Sequence, residues 1–175
     1  MLKKILTYGA IAGLIAGAPM LALTAWADRI QPELGMVIGY LTMLIAFSTV
    51  FVAIKRWRDV EGGGVVRFWP ALGMGLGIVA LGSLIYAIAW EIALATAGSD
   101  FMAEYAAGVI AERKAQGASA AEIAALTAQM ESFRAQYANP LFRFAITLTE
   151  ILPVGLPVAL VSAGLLRNPR FLPAR

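Results

Sequence analysis

The sequence predicts an all-α, polytopic integral membrane protein with four transmembrane helices and a helical hairpin outside the bilayer between helices three and four. Composition carries the first part of that reading. Hydrophobic residues make up 60% of the chain and charged residues 14%, whereas soluble domains have about 45–50% apolar and about 25% charged residues. Patterning carries the second. The charges fall between long apolar runs, and four runs approach the roughly 20 residues that cross a hydrocarbon core. No long polar linker interrupts the chain, so residues 1–175 read as one membrane domain.

The first span runs from about residue 5 to 26. Lys3 and Lys4, an apolar run and Ala25-Trp26-Ala27 imitate a cleavable signal peptide. The run is about 20 residues, longer than the 7–15 of a signal core. It also carries Gly9, Gly13 and Gly17 at four-residue spacing, a notch that lets another helix approach closely in lipid. A retained first helix is therefore expected. The second span covers about 36–54, and its Gly35 and Gly39 read as further notches, as do Gly73 and Gly77 in the third. The third, 68–97, would be about 45 Å long at 1.5 Å per residue, so it must tilt or protrude. The fourth, 141–166, contains Arg143, Glu150, Pro153 and Pro157. Trp26, Trp57, Trp69 and Trp90 read as interface anchors.

Between spans three and four, residues 99–139 read as two helical arms. Ser119-Ala120-Ala121-Glu122 spells a capping box, with Gly117 suited to the turn before it. Ile123, Leu126, Met130, Phe133 and Tyr137 follow at alternating spacings of three and four, a coiled-coil-like seam. Phe101, Tyr105 and Val109 are the expected partner face on the first arm. Asn139-Pro140 ends the second arm, because the residue before proline disfavours the helical region.

Lysine and arginine counts set the orientation. Lys3, Lys4, Lys55, Arg56, Arg58, Arg67, Arg167, Arg170 and Arg175 lie on the side of the termini, against Arg29, Arg113, Lys114, Arg134 and Arg143 on the other. Both termini are thus expected in the cytoplasm, with the hairpin outside a bacterial inner membrane. Lys55-Arg56-Trp57-Arg58 reads as a basic loop held by anionic head groups, and no nucleic acid is expected as a partner despite a net charge of +3.

The chain has no cysteine and no histidine. That excludes disulfides, thiolate nucleophiles, iron–sulfur clusters, bis-histidine haem and Ser–His or Cys–His catalytic pairs. Neither a metal nor a cofactor is expected, and no enzyme. What remains is a candidate polar site within the spans. Glu91 and Glu150 lie at similar depth in the outer half, where an ionisable group is expensive and calls for a partner. Arg143, Thr147 and Glu150 share a helical face, and Thr147 can bridge the other two. Ser83 and Tyr86 precede Glu91 on the third span, and Tyr40 and Thr42 add hydroxyls from the second. Proline at 153 and 157 frees carbonyls one turn earlier, near Glu150. These features predict convergence of Glu91, Arg143 and Glu150, as a ligand site or as an ion pair that locks packing; the alternative is that Arg143 meets Glu91 across a helix interface.

Several strings carry a family resemblance: Gly35-Met36-Val37-Ile38-Gly39-Tyr40-Leu41-Thr42-Met43 through Phe51-Val52-Ala53-Ile54-Lys55-Arg56, Tyr86 with Trp90-Glu91, Asp100-Phe101, Tyr137-Ala138-Asn139-Pro140 and Glu150-Ile151-Leu152-Pro153-Val154-Gly155-Leu156. Nearly the whole chain resembles the small bacterial membrane proteins grouped as domain of unknown function 4199. The resemblance implies a four-span inner-membrane protein and no particular activity. Size, glycine notches and the hairpin favour a non-enzymatic assembly or accessory protein, its partners the lipid bilayer and another membrane protein or a second copy of itself. The alternative is a small transporter or cation- or proton-binding protein built on Glu91 and Glu150.

Overall fold

The structure, a computed structural model, describes residues 1–25, 32–97 and 101–173. Among these residues it has six helices and no strand: α1 Leu2–Ala25, α2 Pro32–Val60, α3 Phe68–Ala97, α4 Phe101–Ala115, α5 Ala120–Tyr137 and α6 Pro140–Leu166. Four of them, α1, α2, α3 and α6, are long and apolar enough to cross a membrane. The expected end of the first span at Trp26, and the flanking Asp28, Arg29, Gly98 and Asp100, lie outside the described residues.

Local sequence sets the ends. Pro32 starts α2 where a missing amide costs nothing. Asn139 caps α6 by accepting from the Leu141 amide, with Pro140 at its first position. The same Asn-Pro pair therefore closes α5 and opens α6. Ser119 caps α5 in a complete capping box: its hydroxyl accepts from the Glu122 amide, and the Glu122 carboxylate accepts from the Ser119 amide at 2.7 Å. Gly117 makes the preceding turn at φ +82°, a conformation that glycine adopts without strain.

Helix α3 is the central packing element, running along α1 and also meeting α6 and α2, while α2 contacts α1 and α6. The glycine notch of α1 faces α3. A Cβ placed on Gly9, Gly13 or Gly17 would come within 2.8 Å of Leu81, 2.5 Å of Ile85 and 2.9 Å of Ala89 respectively. Three contacts at one spacing on both helices form a continuous seam of close backbone approach. The other expected notches divide. Gly77 makes room for Ile5, whereas Gly39 and Gly73 face open space. Phe47, Val50 and Ile54 of α2, Met74 and Ile78 of α3, and Ile151 and Leu166 of α6 fill the core. The outer face of α2 instead presents Leu34, Val37, Leu41, Leu44 and Ile45, an apolar surface suited to lipid.

The basic cluster after the second span is not a loop. Helix α2 continues through it to Val60, because nothing in Lys55-Arg56-Trp57-Arg58-Asp59 breaks a helix. Arg58 is fully buried. Its guanidinium donates to Asp59 at 2.7 Å, to the Phe171 carbonyl at 2.8 Å and to the Leu172 carbonyl, and reaches the last α6 carbonyl, Leu166, at 3.5 Å. Lys4 pairs with Glu61 nearby, and that bond holds the Glu61 carboxyl below its usual range.

In the hairpin, Ile123, Leu126, Met130 and Phe133 are half-buried and Tyr137 is buried, so the seam on α5 lies where its spacing predicts. The partner face on α4 agrees with expectation only in part. Of the expected residues, Phe101 and Val109 are half-buried and Tyr105 is 53% exposed, while Met102, Ala106 and Ile110 are half-buried as well. Successive four-residue steps drift around a 3.6-residue helix, so Phe101, Tyr105 and Val109 do not hold one line.

Candidate functional site

The end of the molecule nearest the hairpin gathers the polar side chains of α3 and α6. Arg143, in the first turn of α6, grips Glu91 of α3 with both prongs of its guanidinium. Nε donates to Glu91 Oε1 at 2.9 Å and Nη2 to Oε2 at 2.6 Å, the bidentate geometry that makes arginine–carboxylate pairs strong. Its third nitrogen, Nη1, donates to the Tyr137 carbonyl at 3.0 Å and approaches that of Ala138 at 3.4 Å. The guanidinium carbon also lies 5.9 Å from the centroid of the Tyr137 ring, within cation–π range. One side chain thus ties α3, the end of α5 and α6 together.

Trp90, next to Glu91, secures the hairpin from the other side. Its indole N–H donates to the Tyr137 hydroxyl at 2.7 Å, and its ring meets Phe101 edge-on at 5.5 Å. Burial raises the Tyr137 phenol above its usual pKa, so the hydroxyl stays neutral. Trp90 is accordingly a fastening between α3 and the hairpin rather than an interface anchor. Trp57 packs partly buried against the core, Trp69 stays exposed, and Trp26 lies outside the described residues.

The expected convergence of Glu91, Arg143 and Glu150 is not what the structure has. Arg143 is taken up by Glu91 and two carbonyls, and Glu150 has neither a hydrogen-bond nor an ion-pair partner among the described residues. The physical reason is direction. Helical side chains lean toward the N-terminus, so Arg143 reaches back to the end of α5, away from Glu150 about 10 Å further along α6. Thr147 does not bridge them. It is buried, and its hydroxyl donates to the Arg143 carbonyl one turn back at 2.9 Å. Ser83 is buried with no partner for its hydroxyl among the described residues, and Thr42 donates to its own helix at Ile38.

Glu150 and Tyr86 stand together at the junction of two cavities. The first, about 350 Å³, lies among α1, α2, α3 and α6, with Pro19, Gly39, Tyr40 and Thr42 on its wall. Gly39 is thus an opening, not a notch. The second, about 230 Å³, lies between α3, α6 and the hairpin. Sequence reasoning placed Glu150 and Tyr86 in one polar site, and nothing in their spacing announced the aromatic residues that the hairpin adds. No group of three or more acids suited to a metal ion occurs among the described residues.

Four helices of spanning length define a multi-pass membrane protein. Glu150, an exposed residue that borders both cavities, is accompanied by no catalytic constellation of cysteine or histidine, since the chain has neither. The chain belongs to the family described as protein of unknown function (DUF4199), whose model matches residues 7–168. No curated protein and no solved structure matches it.

Proposed function

We propose that this is a non-enzymatic membrane protein that binds a cation, in the broad sense that includes a proton, at Glu150. The observation that carries the reading is the contrast within the expected site: Glu91 is paired with Arg143, while Glu150 meets two cavities and no counter-charge among the described residues. A carboxylate left alone at membrane depth is costly, so a mobile positive charge is the partner its surroundings lack. Glu91 is assigned a structural role as half of an ion pair.

The test is chemical modification. An apolar carbodiimide, which reaches carboxyl groups from apolar surroundings, should modify Glu150 and spare Glu91 when the protein is held in maltoside micelles, as read by peptide mass spectrometry. Equal modification of both acids, or none at Glu150, sinks the proposal.

The membrane is proposed to be a bacterial inner membrane, with both termini cytoplasmic and the hairpin outside, on the strength of the lysine and arginine asymmetry. A cysteine at Ala120 should then react with a membrane-impermeant thiol reagent in intact cells, and one at Arg170 should not; the reverse pattern inverts the topology. A second reading, assembly with another membrane protein, is favoured by α4, which has no buried residue. It predicts that a tagged protein co-purifies with one partner in fixed proportion, and that hairpin substitutions abolish this while Glu150→Gln does not.

A further inference from the structure

Glu150 is the one acid of the spanning helices without a partner among the described residues, and although its side chain is exposed, it lies on the wall of the open cavity beneath the hairpin. Tyr86 and Trp90 from α3, Phe101 and Tyr105 from α4, and Phe133 and Tyr137 from α5 surround it, with Glu150 of α6 as the charged group on its wall. Two ring pairs line it: Trp90 and Phe101 meet edge-on at 80° with centroids 5.5 Å apart, and Phe133 and Tyr137 are tilted by 34° with centroids 5.4 Å apart. Three separate helices are needed to assemble this set, so no single amphipathic stripe accounts for it.

We infer that the cavity formed by these six aromatic residues and Glu150 is a binding site for an organic ammonium group. The inference rests on the cation-binding role proposed for Glu150 and names the class of cation. Three arguments select it. A small inorganic cation needs several oxygen ligands, six to eight for calcium for instance, and the side chains lining the cavity offer one carboxylate and three tyrosine hydroxyls, the Tyr137 hydroxyl already accepting from Trp90. A neutral apolar guest would cover the carboxylate without supplying a counter-charge. An alkylammonium satisfies both parts of the wall, because aromatic faces attract weakly hydrated cations and the carboxylate neutralises the charge. At about 230 Å³ the cavity is smaller than the roughly 300–1,000 Å³ of sites for drug-sized ligands, so it suits a head group.

The molecule contains its own version of this arrangement. Arg143 lies over the Tyr137 ring and on the Glu91 carboxylate: a cation between an aromatic ring and an acid. The adjoining cavity repeats the ring and the acid and lacks the cation. Since Arg143 is already neutralised by Glu91, it does not cancel the attraction of Glu150.

Carbodiimide protection tests the inference. The protein is held in a maltoside, which has no ammonium head group, and modification of Glu150 is timed with tetramethylammonium, with sodium at equal ionic strength, or with the neutral isostere tert-butyl alcohol. At ten times its Kd tetramethylammonium should slow modification about tenfold, in proportion to occupancy. Sodium and the alcohol should not, and Phe101→Ala should weaken protection, read as the ratio of protected to unprotected rates within that variant. Equal protection by sodium, protection by the alcohol, or no protection at all overturns the ammonium assignment while a reactive Glu150 leaves the cation-binding reading standing. An unreactive Glu150 brings down both. The source of the group is read in nanodiscs: slower modification in phosphatidylcholine or phosphatidylethanolamine than in phosphatidylglycerol marks a lipid head group, and equal rates mark a soluble ammonium compound.

Discussion

Arg58 and Arg143 hold opposite ends of α6. Arg58 meets its last carbonyl and the segment beyond it; Arg143 belongs to its first turn. Both bind an acid and main-chain carbonyls, yet their surroundings differ. The Arg58 side chain is 0% exposed, with Asp59 beside it, whereas Arg143 and Glu91 keep 18% and 34% of their surface open. At the Arg58 end each charge near the core has a partner. At the Arg143 end one acid is matched, and a second, two turns on, is left facing cavities. A sealed end and an end with a charge to spare teach that the first is built for stability and the second has room for a ligand.

The contrast predicts unequal costs for losing each arginine. Arg58→Met should have the largest effect, about 3–5 kcal/mol, the range for breaking a buried ion pair and leaving its partners bare. Thermal unfolding of the purified protein measures it, and a variant as stable as the parent would mean that the clamp is not sealed. Arg143→Met should cost less, about 1 kcal/mol, because solvent screens a partly exposed pair. Adding Glu91→Gln to it should recover part of the loss; a further drop of similar size would show that the two residues act independently.

The smallest effect belongs to the hairpin, which lies outside the spans. Ser119→Ala should loosen the start of α5 by about 1 kcal/mol, a typical value for a lost cap, and leave α6 untouched. The bond from the Ser119 amide, followed by that from its hydroxyl, holds the Glu122 carboxyl below its ordinary value of 4.5. A depressed acid contributes stability that is fully present above that value and lost as pH falls through the lower folded one. Amide exchange at the start of α5, corrected for its intrinsic pH dependence, should therefore quicken below pH 4.5, and Glu122→Gln should flatten the response. Unchanged exchange across that range would remove Glu122 from the cap.

What the sequence made legible follows from how local each signal is. The capping box, the α5 seam and the Gly9-Gly13-Gly17 notch are written within a few residues, and each lies where its spacing predicts. Glu91 and Glu150 were legible as acids at similar depth, and the other four proposed site residues as polar groups on the same two helices, but depth does not say which way a side chain turns. Arg143 could not be assigned to Glu91 over Glu150 without the Tyr137 and Ala138 carbonyls that draw it toward α5. Arg58 was hidden for a stronger reason. It looks like any cation in a basic cluster, and what distinguishes it is a pair of main-chain acceptors that have no side-chain signature.

Those acceptors have a consequence for how the protein is made. The Phe171 carbonyl lies 113 residues and the Leu172 carbonyl 114 residues after Arg58. A ribosome adding about 5–20 residues per second therefore leaves the guanidinium waiting for several seconds, at the least, beside only Asp59. During that interval α2 and α3 are already available to the insertion machinery, and the arginine must stay in the polar head-group layer. Its burial in this clamp has to wait until Phe171 and Leu172 have been made. Chains stopped before Phe171 would carry all four spans and still present this arginine to water, which makes it a natural mark by which an unfinished copy differs from a finished one.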